Sequence, residues 1–347
     1  MIWTLETSKP FFVGQCRYLG RGPWLMDRQQ AGQIIAQVPP ISVAAKPWEP
    51  LDAAQDWNGK TIMVVRAGGY GDIMLATPTV RAIKQRWPKS RVVFSCHKQY
   101  ACLVDGSPWV DAVAPYPLPV NDYPFDGMVW LGDVIEDNPQ AEERHACDVI
   151  AERAGIELSD RALDFPTLKS TKHAFDDPPR GEYQWRVGIQ LSASAAARSM
   201  SEQTLVKIMI GLSDCQILLF GHPGQTQLED LPRVVNMSKR KLSFMQSAAA
   251  AQTCDLLIAP DSALFHVGGA LGVPTIGVFG PFPFELRQTA DCQHALQGQA
   301  PCAPCFFHQQ TTAFPIDQHC FKVGKCAAME SVTADTIIKK ARELLNE

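Results

Sequence analysis

LLIAPDSALFHVGGALGVPTIGVFGP, residues 256–281, is the stretch on which the fold turns. A short apolar run, Leu256–Ala259, meets Pro260-Asp261-Ser262. A small-residue helical stretch carrying His266 follows. Leu271-Gly272-Val273-Pro274 then turns into a second apolar run, Thr275–Phe279, which ends at Gly280-Pro281. Strand, polar turn, helix, turn, strand is a βαβ unit, which implies parallel strands. The polar turn falls at the carboxyl end of the first strand and the amino end of the helix. Open α/β sheets bind ligands there, and helix N-termini attract anions there.

Working outward, a second series of alternating strands and helices leads into this unit. Arg186–Leu191 reads as a strand, Ser201–Leu212 as a helix, Gln216–Phe220 as a strand, and Ser243–Thr253 as an Ala-rich helix. Ser331–Leu345 closes the chain as an amphipathic helix. An earlier series starts at Lys60: strand Thr61–Val65, the loop Arg66-Ala67-Gly68-Gly69-Tyr70-Gly71, and a helix from Asp72 towards Trp87. Pro78 should kink that helix or delay its start. Arg91–Ser95, Asp111–Ala114 and Asp126–Leu131 are further strands, and Asn138–Ala154 is a helix stopped by Gly155. The Pro-rich, polar segment 166–184 separates the series. The expected class is therefore α/β, with two doubly wound Rossmann-like domains facing a cleft. The boundaries are an N-terminal extension 1–58, a first domain 59–170, a linker 171–184, and a second domain 185–330. A Cys-rich loop at 301–327 lies in the second domain, and the closing helix is 331–347. The extension has no sustained period beyond a short helix at Asp27–Ile35, and it is expected to be partly ordered.

Bulk properties exclude several classes. The chain has 347 residues, 46% apolar and 20% charged, as in soluble globular proteins. A net charge of −4 gives no electrostatic footprint for nucleic acid. Apolar runs fall short of the ~20 residues a membrane helix needs. MIWTLETSKPFF lacks a basic segment followed by an apolar core, so no secretory signal is read there, and a cytoplasmic protein is expected.

Three loops carry candidate chemistry. Glycines 68, 69 and 71 let the backbone approach a ligand or take positive φ, and Asp72 either caps its helix or accepts a proton from an incoming hydroxyl. The loop is not GxGxxG and lacks a P-loop lysine. Gln190–Met200, QLSASAAARSM, is a close-approach loop with Ser192 and Ser194, and Arg198 suits a diphosphate through permanent charge and bidentate hydrogen bonds. A solvated surface arginine is the plain alternative. In the opening stretch, Ser262, Ala263 and Leu264 present backbone amides at a helix N-terminus, with Asp261 placed to cap it. His266 lies one turn in, where packing is the commoner role of a lone histidine.

RAGGYGDIMLATPTVRAIKQRWP, followed in order by HACDVIAERAGI, the FGHPGQ turn and D-S-x-x-x-H-x-x-x-A-L-G-V-P-T-x-x-x-F-G-P, resembles the heptosyltransferase family of inverting GT-B glycosyltransferases, glycosyltransferase family 9. The resemblance covers roughly residues 60–346. It implies that Asp72 is the base, that Arg198 replaces the usual lysine holding the donor diphosphate, and that Asp261, Ser262 and His266 form the nucleotide-sugar motif. It also implies a donor such as ADP-heptose in the second domain, an acceptor in the first, and a last helix that crosses back to the first domain. The family acts in lipopolysaccharide core assembly. That acceptor suggests peripheral contact with the inner face of the membrane. Other glycans, a protein side chain or a nucleic-acid base are alternative acceptors, the last disfavoured by charge. Two departures bear on the donor. The chain has Ala263-Leu264 where Gly-Pro or Gly-Leu is usual. It has Gly224-Gln225-Thr226, with Glu229 further on, where an acidic residue near the ribose is common. The implied reaction is single displacement at the anomeric carbon without a catalytic metal. A non-catalytic binding or assembly module on the same fold, a homo-oligomer among its forms, and an epimerase or phosphorylase are the competing readings.

Cysteine usage adds one feature outside that logic. Of eleven cysteines, Cys302, Cys305, Cys320 and Cys326 form Cys-x2-Cys-x14-Cys-x5-Cys. Four thiolates in one loop suit structural zinc or iron, with His308 and His319 as spare ligands; reduced free thiols are the alternative.

Overall fold

A computed structural model describes residues 2–7, 9–13, 16–18, 22–46, 51–132, 134–135, 138–168, 174–190, 192–221, 231–306 and 326–346. It divides into two compact units, Met1–Pro166 and Thr167–Glu347. No helix among the described residues is long and apolar enough to cross a membrane.

The first unit begins with β1 (Ile2–Thr7), β2 (Phe11–Val13), β3 (Cys16–Tyr18), β4 (Trp24–Met26), α1 (Arg28–Ile35) and β5 (Pro40–Lys46). Asp27 caps α1 by accepting from the Gln30 N–H. The parallel part follows as β6 (Thr61–Val65), α2 (Tyr70–Arg86), β7 (Arg91–Cys96), β8 (Ala112–Pro115), β9 (Leu118–Pro119), β10 (Gly127–Trp130) and α3 (Ala146–Arg153). Strands β10-β6-β7-β8 form an all-parallel sheet in that order. A separate antiparallel sheet has the order β5-β1-β4-β9.

The described residues of 1–58 thus share the core of the first unit. Ile2, Leu5, Phe11, Trp24 and Met26 share one buried cluster with Met63, Val65, Val93 and Trp130 of the parallel sheet. The join is also polar. The Tyr18 hydroxyl donates to the Tyr116 carbonyl at 2.6 Å, and the Tyr116 hydroxyl donates to Asp27 at 2.6 Å. Short strands with mixed burial leave no period to read; the partner sheet supplies the missing apolar face.

Pro78 neither delays α2 nor ends it, since the helix runs through Tyr70–Arg86. A proline leaves the carbonyl four residues back without its donor. The Thr77 hydroxyl takes over, donating to the Met74 carbonyl at 2.7 Å. The expected long helix at Asn138–Ala154 is instead a 3-10 turn, Pro139–Glu142, and then α3, capped by His145 Nδ1 accepting from the Cys147 N–H.

In the second unit come β11 (Trp185–Gln190), α4 (Glu202–Gly211), β12 (Cys215–Phe220), β13 (Val234–Asn236), α5 (Phe244–Gln252), β14 (Leu256–Pro260), α6 (Ala263–Leu271), β15 (Thr275–Phe279), β16 (Gln293–Gln297), α7 (Ala327–Ser331) and α8 (Ala334–Asn346). The sheet is parallel throughout, in the order β13-β12-β11-β14-β15-β16. That order reverses direction between β11 and β14. The small residues of α6 let the helix lie close on the sheet: a Cβ on Gly268 would sit 2.0 Å from Thr275 Oγ1. Gly272 ends α6 at φ 70°, a value L-residues resist.

The closing helix packs on the core of the second unit. Ile337, Ala341 and Leu345 of α8 are buried in the same core as Val187, Leu205 and Ile258. Gly211 makes room for Ile338, and Arg342 pairs with Asp214 at 2.5 Å and with the Gly211 carbonyl at 2.9 Å. A helix with so strongly one-sided an apolar face buries it against the nearest apolar partner, here α4.

Candidate functional site

Each unit carries its candidate loop where its own strand order reverses. Ligands of open α/β sheets bind at such points, outside the carboxyl ends of the strands.

In the second unit the reversal lies between β11 and β14. The last residue of β11, Gln190, accepts from the Ser262 hydroxyl at 3.0 Å, joining the two strand ends. Ser262 is the N-cap residue of α6 by backbone geometry, but its hydroxyl is spent on Gln190 and makes no cap bond. The amides of the first turn are therefore not covered by the side chain that usually caps them. Asp261 does not cap α6 either. Its carboxylate meets Arg198, whose guanidinium donates to Asp261 Oδ2 at 3.1 Å, to the Asp261 carbonyl at 3.2 Å and to the Ser194 hydroxyl at 2.6 Å. Arg198 sits in the 3-10 turn Ala196–Arg198 that follows β11. The Ser192 hydroxyl donates across to the Gly221 carbonyl at the end of neighbouring β12, while Gln190 Nε2 donates to the Ser192 carbonyl at 2.9 Å.

Asp261 is 7% exposed. Burial by itself would raise its carboxyl. Arg198, Arg287 and His266, together with the Arg198 hydrogen bond, outweigh burial and hold it below the ordinary carboxylate range. Arg287 is a residue the sequence reading missed. It is buried, and its guanidinium lies 5.2 Å from the ring centre of Phe282, against 5.9 Å for that of Arg198. Two cations thus share one aromatic ring beside the buried aspartate. His266 is buried and packs on Phe265. Ala263 opens α6 and is half-buried.

In the first unit the reversal lies between β10 and β6. Arg66, at the end of β6, is completely buried and donates to the Leu131 carbonyl beyond β10 at 2.8 Å. Its other terminal nitrogen donates to Asp72 Oδ1 at 2.7 Å, and the Gly69 N–H donates to Asp72 Oδ2 at 2.8 Å. Asp72 is the third residue of α2 counted from the Gly69 cap, so it reaches back rather than capping directly. Its side chain is 35% exposed while Arg66's is 1%. A buried cation therefore orients a carboxylate that solvent still reaches. The glycines serve that carboxylate. A Cβ on Gly68 would fall 2.7 Å from Asp72 Cβ. Gly68, Gly69 and Gly71 are absent from the positive-φ positions, so close approach and not left-handed backbone is the reason at 68. Beside the loop, Tyr70 packs edge-on against Tyr100 at 4.6 Å, and burial pushes the Tyr70 hydroxyl up to about 12.

The structure thus brings Ser194, Arg198, Asp261, Ser262 and His266 together in one unit, and Gly68, Gly69 and Asp72 in the other. The missed residues are Arg66, Gln190, Phe282 and Arg287. Strand-end position signals the first two; the aromatic pair in FGPFPFELR adjoins the others. Of the cysteines, Cys302 is exposed, Cys305 half-buried and Cys326 buried in the core. Cys320, His308 and His319 lie outside the described residues, as do residues 222–230 with Gln225 and Glu229. Among the described residues no cluster of three or more metal-ligating side chains occurs.

Two α/β units, each built on a parallel sheet with its candidate loop at the strand reversal, are the architecture of the GT-B fold class. Residues 147–313 match the model of glycosyltransferase family 9 (heptosyltransferase). A family 9 glycosyltransferase from Veillonella parvula DSM 2008 superposes with TM-score 0.58 at 16% identity, over 84% of this chain and 99% of that one. The E. coli ADP-heptose lipopolysaccharide heptosyltransferase II gives TM-score 0.58 at 13% identity, over 82% and 98%. TibC of enterotoxigenic E. coli, described as a dodecameric iron-containing heptosyltransferase in complex with ADP-D-β-D-heptose, gives TM-score 0.61 at 12% identity, over 99% and 91%. At such identities the likeness is one of fold. The TibC match covers 99% of the chain and so takes in the N-terminal antiparallel sheet. No curated protein matches by sequence. The resemblance read from the motifs is thus supported over part of the chain by the heptosyltransferase family model and over most of it by the fold of solved family 9 glycosyltransferases.

Proposed function

We propose that the enzyme is an inverting glycosyltransferase. It moves a heptose, or another hexose-like sugar, from a nucleoside-diphosphate donor to a hydroxyl of a glycan such as lipopolysaccharide core. The observation that carries the reading is the Arg198–Asp261–Ser262 cluster at the β11/β14 reversal, where a guanidinium and the first amides of α6 converge. An ADP-heptose-class donor is the first candidate, since TibC is described in complex with one.

Asp72 accepts the proton of the attacking hydroxyl, and the oxygen's electron pair forms the bond to the anomeric carbon. The bond from that carbon to the diphosphate oxygen breaks, and the nucleoside diphosphate leaves with the electron pair. Arg198 and the α6 amides stabilise the charge on the leaving group. Arg66 aims the carboxylate of Asp72. No divalent metal is assigned a step. A lipid-linked glycan acceptor would place the enzyme in the cytoplasm at the inner face of the membrane. The test is nucleoside-diphosphate release from a panel of sugar donors with core glycan as acceptor. Asp72→Ala should abolish transfer while donor binding persists. Turnover within a few-fold of wild type would remove Asp72 from the mechanism.

We also propose a structural zinc or iron held by Cys302, Cys305, Cys320 and Cys326. Support comes from the thiolate spacing and from the iron named for TibC. Metal analysis of purified protein should find one ion per chain, lost in Cys302→Ser. Protein free of both metals ends the proposal.

A further inference from the structure

We propose that Phe306 is a positioning residue of the donor site: through the ring of Phe282 it holds Arg198 where the diphosphate of the donor binds. The proposal rests on the sugar-transfer reading and adds to it a residue of the Cys-rich loop.

The first observation is a backbone one. Among the described residues two non-glycine positions have positive φ, Lys241 at 53° and Phe306 at 50°. Lys241 ends the 3-10 turn Met237–Arg240, where left-handed backbone is ordinary. Phe306 belongs to no helix or strand. A bulky residue resists this region because its Cβ crowds the neighbouring carbonyl. Such strain persists only where the surroundings hold it, and it gathers at ligand sites.

The second observation is what holds it. The N–H groups of Cys305 and Phe306 both donate to the Pro281 carbonyl at 3.0 Å. Pro281 lies just past β15, and β15 pairs with β14, the strand that leads to Asp261. With the peptide group pinned, φ alone decides where the Phe306 Cβ points. At 50° the ring stands edge-on to Phe282, with centroids 5.8 Å apart and planes at 87°.

Phe282 links this turn to the cations. It is 1% exposed, and its ring faces the guanidiniums of both Arg198 and Arg287. Two guanidiniums repel each other, and the negative face of one ring attracts both. A ring free to tilt would let Arg198 drift from Asp261 and Ser194. Phe306, packed edge-on, restrains that tilt.

The test is calorimetric titration of the full chain, with melting followed in parallel. The ligand is whichever sugar stabilises wild type most in a panel of ADP-, GDP-, UDP- and CDP-sugars. Phe306→Ala and Phe306→Gly should each weaken binding about three- to tenfold, the worth of one edge-to-face aromatic contact. Phe306→Gly should nonetheless melt above Phe306→Ala, since glycine takes a φ of 50° without the clash a Cβ brings. Phe306→Tyr keeps the ring and should bind within about twofold of wild type. In an Arg198→Ala background, Phe306→Gly should weaken binding by less than about twofold further, because the route runs through that guanidinium. Affinity that follows the ring while stability follows the backbone supports the proposal. Affinity that rises and falls with Tm across the series, or a full further loss without Arg198, overturns it. A wild type that binds no nucleotide sugar overturns the donor reading and this inference with it. Equal binding by wild type and Phe306→Gly overturns this inference alone.

Discussion

Replacing Arg198 with alanine removes a guanidinium that makes two bonds to Asp261 and one to Ser194. The Asp261 side chain is 9% exposed and that of Arg198 17%, so the pair is little screened by solvent. Breaking a buried pair from one side costs ~3–5 kcal/mol, because a charge is left without its partner. Here Arg287 and His266 stay beside Asp261, which lowers the expected cost to about 2–3 kcal/mol. For a unit of this size that is a fall in Tm of about 4–12 °C. Nucleotide-sugar affinity should drop about ten- to a hundredfold, the worth of one charged hydrogen bond to a phosphate. Differential scanning fluorimetry and calorimetric titration read the two effects. The double variant Arg198→Ala/Asp261→Asn separates them. It removes the stranded charge, so it should regain most of the lost Tm and none of the lost affinity. If Arg198→Ala alone leaves Tm and affinity unchanged, the pair does not organise the donor site. The same conclusion follows if the double variant is simply the sum of the single ones.

Other expectations follow from particular contacts. Thr77→Val removes the hydroxyl that satisfies Met74 beside Pro78 and should cost about 1–3 kcal/mol in chemical unfolding; an unchanged midpoint would mean α2 tolerates the open carbonyl. Gly68→Ala drives a methyl to 2.7 Å from Asp72 Cβ. Turnover should fall about a hundredfold with donor affinity kept, since only the carboxylate is displaced; parallel losses in both would argue for unfolding of the loop. Asp261 titrates below its unfolded value, so its contribution to stability is complete above about pH 4 and fades as pH falls through the depressed value. The Tm gap between wild type and Asp261→Asn should therefore narrow on acidification below about pH 4, and a gap that widens would reverse the sign assigned here.

Legibility in the sequence followed the length and burial of each element. The unit at 256–281 was readable because parallel strands buried on both faces appear as plain apolar runs, bounded by turn residues. The second candidate loop was readable for a similar reason, since Gly68-Gly69-Tyr70-Gly71 breaks the run of β6. β13 and β16 were not legible. Val234–Asn236 is three residues long, and Gln293–Gln297 is polar, its strand state set by pairing with β15. The N-terminal sheet was hidden for want of period, its core being completed by Met63, Val93 and Trp130 from far along the chain. Arg287 could not be found from spacing, because only the folded chain brings it to Asp261 and Phe282. Arg66 was read only as the first residue of the glycine loop; its burial and its grip on Asp72 appear only in the folded chain. The apolar face of the closing helix was plain in the sequence, whereas the partner it covers, α4, is a matter of tertiary contact.

The central claim is that the β11/β14 reversal binds a nucleoside-diphosphate sugar. The most direct measurement is a thermal-shift panel of nucleotide sugars on wild type, Arg198→Ala and Asp72→Ala. A ligand at a hundredfold excess over its Kd stabilises the folded state by ~2.7 kcal/mol. Wild type and Asp72→Ala should rise together with one donor, and Arg198→Ala should rise by about half as much or less. A wild type that no nucleotide sugar stabilises, or an Arg198→Ala that rises equally, would contradict it.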